Sequence, residues 1–95
     1  MAAYLIAQVE ITDMEKYKDY MKAVPAIIAQ YGGKYVARGG ETVVLEGGDR
    51  KKRVVILEFP SLQKAKDWYH SKEYQQAKPL REGAAKGNLI AIEGC

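Results

Sequence analysis

A group of side chains in this sequence combines aromatic walls with cationic and hydroxyl groups: Tyr17, Tyr20, Arg38, Trp68, Tyr69, His70, Ser71, Tyr74 and Arg81. Such a mixture suits a small anionic or carbonyl ligand. Aromatic rings supply dry contact area, a guanidinium fork binds a carboxylate through two parallel hydrogen bonds, and a tyrosine hydroxyl orients an oxygen. His70, Tyr20 and Tyr74 are the candidates for moving a proton. Arg38, Trp68, Ser71 and Arg81 are the candidates for holding the ligand.

Each has a structural alternative. Trp68 shares a helical stripe with Leu62 and Ala65, which favours a core position over a ligand platform. Tyr20 stands beside its stripe, and Tyr74 follows the cap-type residue Ser71 by three positions, so either could line a cleft at a helix edge. Arg38 precedes Gly39 and Gly40, where a bent strand could carry its guanidinium to a cavity mouth; an interface salt bridge is the equal alternative. The unperturbed pKa of histidine suits a general base, yet His70 lies at an apparent helix junction, where an exposed or capping role is favoured.

Other chemistries find little support. With one histidine and a single cysteine, Cys95, the chain lacks the ligand set of a zinc site and cannot close an internal disulfide, which fits a reducing compartment. The glycine pairs match neither a dinucleotide fingerprint nor a phosphate-binding loop. No metal or cofactor is expected. The opening segment lacks a basic leader and its apolar run is broken at Gln8, so neither a signal peptide nor a membrane span is expected, and a cytoplasmic location is. The net charge of +3 gathers partly at Arg50, Lys51, Lys52 and Arg53. These read as a solvated hairpin turn; four charges on one loop offer few phosphate contacts and no base-reading element, so no nucleic-acid partner is expected.

The elements that must position these groups follow from size and periodicity. At 95 residues, 47% hydrophobic and 28% charged, the chain suits one globular domain, spanning 1–95. A domain this small buries only about 60–65% of its unfolded surface, so a partner subunit is a natural source of further burial. Residues 4–11 read as a central strand. Thr12 and Asp13 offer a cap to a helix whose apolar residues recur at Met14, Tyr17, Met21, Val24, Ile28 and Tyr31, kinked at Pro25 and ended by Gly32 and Gly33. Residues 34–38 and 42–46 both read as extended, with Gly39 and Gly40 as a bend or bulge within one long strand. Residues 53–59 are apolar on both faces and should be central. Ser61 caps a second helix and Ser71 another, which Pro79 bends; Gly87 turns the chain into a last strand at 88–93.

The order β-α-β-β-α-β predicts an α+β, ferredoxin-like fold: a four-stranded antiparallel sheet with its helices on one face. The other face, carrying branched side chains, predicts a two-fold homodimer packed through sheet faces.

Several spaced motifs carry a resemblance over nearly the whole chain. Tyr31-Gly-Gly-Lys-Tyr-Val-Ala-Arg-Gly-Gly-Glu41, then Glu58-Phe-Pro-Ser61, Trp68-Tyr-His-Ser-Lys-Glu-Tyr74 and Arg81, resemble the domain of unknown function 1330 family. The resemblance implies the dimeric α/β-barrel superfamily, whose members include cofactor-independent monooxygenases, isomerases, stress-responsive domains and heme-dependent enzymes; as fold analogy these set no reaction. Two readings remain. One is a cofactor-independent enzyme acting on a small aromatic or carbonyl metabolite. The other is a non-catalytic small-ligand-binding or stress-associated dimer.

Overall fold

The computed structural model describes residues 1–47 and 53–95. Its elements run β1 (Ala3–Ile11), α1 (Met14–Gln30), β2 (Lys34–Arg38), β3 (Arg53–Phe59), α2 (Leu62–Tyr69), α3 (Lys72–Ala77), a 3-10 turn (Lys78–Leu80) and β4 (Ala85–Glu93). The four strands form one sheet in the order β2-β3-β1-β4, and every neighbouring pair is antiparallel. This is the ferredoxin-like α+β arrangement, with β1 and β3 central as their apolar composition requires.

Alternation along the central strands separates the two faces. Ala3, Leu5, Ala7 and Val9 of β1 are buried, as are Leu57 and Phe59 of β3. Of these, Leu5, Leu57 and Phe59 meet Val24 and Ile28 of α1, Ala65 and Trp68 of α2, and Tyr74 and Ala77 of α3 in one core. The intervening residues face away from the helices, and two on β4, Ile90 and Ile92, remain 58% and 56% exposed. The molecule is accordingly a slab, 31 × 30 × 17 Å, one helix layer on one sheet.

The caps follow local chemistry. The carboxylate of Asp13 accepts from the Lys16 amide at 3.2 Å, and the Ser61 hydroxyl accepts from the Lys64 amide at 3.2 Å. At the end of α1, Gly32 takes φ +79°, its amide donates to Ala29 and the Gly33 amide to Ile28, the paired bonds that close a Schellman motif. The helix runs unbroken through Pro25. Its buried stripe is Tyr17, Val24 and Ile28, while Met14, expected to begin the stripe, is 45% exposed.

Three expectations need correction. The bulge in β2 falls between Tyr35 and Ala37, not at Gly39 and Gly40. Residues 42–46 are not a strand continuing β2: the ladder with β3 ends at Arg38, so among the described residues no backbone partner holds them extended. The last strand starts at Ala85, three residues before the expected 88, and places Gly87 inside the sheet opposite Val9; the turn glycine is Gly83, at φ +78°. Of the basic turn expected at 50–53, only Arg53 falls within the described residues, and it opens β3. Among the described residues no helix is long and apolar enough to cross a membrane.

Candidate functional site

Most of the side chains singled out by their chemistry gather at two adjoining spaces. The larger is a cleft of about 440 Å³ between α2 and the edge strand β4. Lys66, Tyr69 and His70 reach it from the end of α2, Arg81 from the turn after the 3-10 segment, and Leu89, Ile90 and Ala91 from β4. Its volume lies in the range of small-molecule sites. The smaller is an interior cavity of about 50 Å³ between α1 and the sheet, where Tyr17, Tyr20, Tyr35, Arg38, Arg53 and Trp68 are among the lining residues. Leu5 and Leu89 border both.

The cleft is cationic. Lys66 and Arg81 line it beside His70, and among the described residues no carboxylate does. The ion pairs among the described residues are Lys18 with Glu15 at 3.4 Å and Lys34 with Glu58 at 3.7 Å, so neither Lys66 nor Arg81 is neutralised there. Arg81 also has a buried Nε with no hydrogen-bond partner, and its guanidinium lies 5.9 Å from the centre of the Tyr20 ring. An anion entering the cleft would meet charge that the chain itself leaves uncompensated. His70 is the C-cap residue of α2, exposed, with its ring edge-on to Tyr69 at 5.2 Å. It stands where it can reach both solvent and a bound molecule.

The tyrosines behave differently. Tyr74 is fully buried, and its hydroxyl shares a 2.7 Å hydrogen bond with that of Tyr20. Burial, reinforced by the Tyr74 charge and the shared hydrogen bond, holds Tyr20 well above the ordinary phenol range. Burial likewise raises Tyr74, Tyr17 and Tyr35. Near neutral pH all four are protonated, fit to orient an oxygen and unfit to take a proton.

Ser71 is turned toward the backbone. Its hydroxyl accepts from the Tyr74 amide at 3.0 Å and donates to the Trp68 carbonyl at 2.7 Å, joining α2 to α3. Trp68 is 1% exposed, packs on Tyr74 at 4.2 Å and Phe59 at 5.7 Å between ring centres, and borders the interior cavity with an indole N–H that finds no acceptor. Arg38 reaches the same cavity from β2 and stacks 4.4 Å from the Tyr35 ring centre. The fold thus brings His70 and Arg81 to the cleft, and Tyr20, Trp68 and Arg38 to the cavity; Tyr74 and Ser71 support them from the core.

Two further residues reach the site. Arg53 adjoins the basic run at 50–52, yet it has the same parity as Val55, Leu57 and Phe59, and period-two alternation places it on the helix-facing side. Lys66 gave no such signal, because only the position of β4 turns it from a surface lysine into a cleft wall.

Residues 2–95 match one family, the domain of unknown function DUF1330. The chain belongs to that family. No curated protein matches it in sequence. Among solved structures it is similar to a protein of unknown function from Rhodopseudomonas palustris, with TM-score 0.80 at 22% identity, covering 99% of this chain and 82% of that one. It is similar to SnoaB, a cofactor-independent oxygenase from Streptomyces nogalater, with TM-score 0.70 at 8% identity, covering 99% and 93%. It is also similar to a dimeric protein of unknown function with a ferredoxin-like fold from Bacteroides fragilis, with TM-score 0.58 at 13% identity, covering 98% and 96%. At these identities the likeness establishes the fold of this DUF1330 domain and leaves its chemistry to its own residues.

Proposed function

We propose that this DUF1330 domain is a homodimeric, cofactor-independent enzyme that binds a small anionic aromatic or carbonyl metabolite in the cleft between α2 and β4. The observation that carries this reading is a ligand-sized cleft lined by Lys66, His70 and Arg81 with no carboxylate in its wall among the described residues. Arg81 holds the negative group through its fork, Tyr69 and Leu89 supply apolar walls, and His70 at the rim exchanges a proton with a carbonyl-bearing substrate. The likeness to a cofactor-independent oxygenase lends support at the level of fold.

A second reading, ligand binding without turnover, has its own observation: the buried tyrosines are held protonated, and no carboxylate lines the cleft to orient His70. Substitution separates the two. Thermal-shift screening against aromatic carboxylates, phenols and quinones should find a class that stabilises the protein, by roughly 2.7 kcal/mol at about 100 times its dissociation constant. Arg81→Gln should abolish that shift. His70→Gln should leave the shift intact and remove turnover of the same class; turnover unchanged in His70→Gln would end the proton-transfer role. If no class raises the melting temperature, the cleft is not a small-molecule site.

The homodimer rests on the uncovered sheet face. Ile90 and Ile92 on β4 are more than half exposed, as are Val43 and Leu45 beyond β2, at 67% and 93% exposure. A second copy packed sheet to sheet would cover the strand residues; the Bacteroides fragilis neighbour with a ferredoxin-like fold is itself dimeric, which supports a homodimer.

A further inference from the structure

The interior cavity carries a polar inventory that its own walls cannot satisfy. Arg53 and Arg38 both border it, from neighbouring strands: Arg38 pairs across the sheet with Val55, two residues along β3 from Arg53. The two guanidinium-bearing side chains therefore start on the same face of the sheet within reach of one another. The Nε of Arg53 is buried and has no hydrogen-bond partner. Tyr17 and Tyr35, which border the cavity too, both feel its positive charge.

Among the described residues, none in the cavity wall carries a carboxylate. Among the described residues, neither Arg38 nor Arg53 enters an ion pair. The protein also keeps space for the Arg53 head: a side chain at Gly39, whose φ of +63° already favours glycine, would meet the Arg53 Cζ at 2.8 Å. Arg53 as a whole is half-buried, but its buried Nε–H without an acceptor is unfavourable, and a guanidinium cannot relieve it by losing a proton.

We propose that Arg38 and Arg53 form a second anion site, separate from the α2–β4 cleft, that takes a carboxylate group. Several features fit that class. The cavity volume of about 50 Å³ is three or four times what one water requires, so a carboxylate head fits where an aromatic body does not. A planar carboxylate matches the guanidinium fork and can accept from the orphaned Nε as well as from a tyrosine hydroxyl. Arg38 is exposed on edge strand β2, which gives the anion a path that leaves the core closed. The site stands on β2 and β3 and does not depend on the reading of the cleft.

Arginine side-chain NMR tests this directly, because the four arginines, at 38, 50, 53 and 81, give separate Nε–H signals that single Arg→Lys variants assign. In the intact protein, titration with formate and then acetate should shift the Arg53 signal along a saturable curve and slow its hydrogen exchange. Arg38→Gln should weaken that curve tenfold or more, whereas Arg81→Gln should leave it unchanged while removing ligand binding at the cleft. An Arg53 signal that does not move, or moves only linearly with added salt and equally with chloride, would show that the cavity holds water alone and overturn the site. Should Arg38→Gln lower the melting temperature, Arg38→Lys serves in its place: it keeps the charge, loses the fork, and should still weaken binding. An unchanged curve in that variant would remove Arg38 from the site.

Discussion

The polar side chains of this domain divide by what their surroundings allow them to do. Ser71 spends its hydroxyl on the Trp68 carbonyl and the Tyr74 amide, so it holds a helix junction and offers little to a ligand. Tyr20 and Tyr74 bond to one another at 2.7 Å in a setting that keeps both protonated. A pH dependence follows. A phenol whose pKa is raised by folding contributes stability that is fully present below its unfolded value near 10 and is lost as pH climbs through that value toward the folded one. The denaturation midpoint should therefore fall between pH 9.5 and 11 (about the range around the unfolded pKa). The fall should be shallower in Tyr20→Phe; parallel curves for the two proteins would show that Tyr20 is not part of the effect. Trp68, Arg53 and Arg81 form the complementary class, since each has a buried N–H left without an acceptor, and all three border the cleft or the cavity. In a native interior such groups are few, and each calls for a water or a ligand.

At the scale of elements, the decisive contact is between β1 and β4. Gly87 lies opposite Val9, so close to β1 that an added Cβ would meet the Gln8 carbonyl oxygen and come within 2.7 Å of the Val9 Cα. Both are backbone atoms of a central strand and cannot move aside. Gly87→Ala should cost about 1–3 kcal/mol, the range for overpacking, read as a lower denaturant midpoint with an unchanged slope. The same change should disturb the cleft, because Gly87 is part of its wall. A midpoint equal to that of the parent would mean that β4 can slide relative to β1. The expected turn at Gly87 illustrates a general ambiguity of glycine: a turn and a close approach of two strands both select it, and the chain reads the same until its neighbour is known. Arg53 illustrates the opposite. Its inward direction was already present in the alternation of Val55, Leu57 and Phe59, and was obscured by the basic run beside it.

For the whole molecule, the one-sided slab sets the question of assembly. A helix layer covers one face of the sheet, while Ile90 and Ile92 stand more than half exposed on the other. Sedimentation of the reduced protein at micromolar concentration should report the mass of two chains. The double substitution Ile90→Glu with Ile92→Glu should shift it to one chain, because a charge buried across a sheet-to-sheet contact has no partner there. A single-chain mass for the parent protein would remove the homodimer. Reducing conditions matter, since Cys95 is a free, exposed thiol that could link two chains artificially.

What the sequence determined by itself was local or periodic. The caps at Asp13, Ser61 and Ser71, the glycine end of α1, the helical stripe through Tyr17, Val24 and Ile28, and the two central strands all follow from preferences that act within a few residues, and together they specify the ferredoxin-like order. The tertiary structure decided which chemistry-bearing groups meet. Lys66 and Arg81 are 15 positions apart in sequence and share a cleft only because β4 returns to the edge of the sheet beside α2. Arg38 and Arg53 meet only because the β2–β3 register sets them two residues apart across neighbouring strands. Segment 42–46 has the composition of a strand and is not one, because a strand requires a partner and the described residues place none beside it. Propensity is a property of a segment, whereas a site, a ladder and an uncovered face are properties of what the fold places beside it.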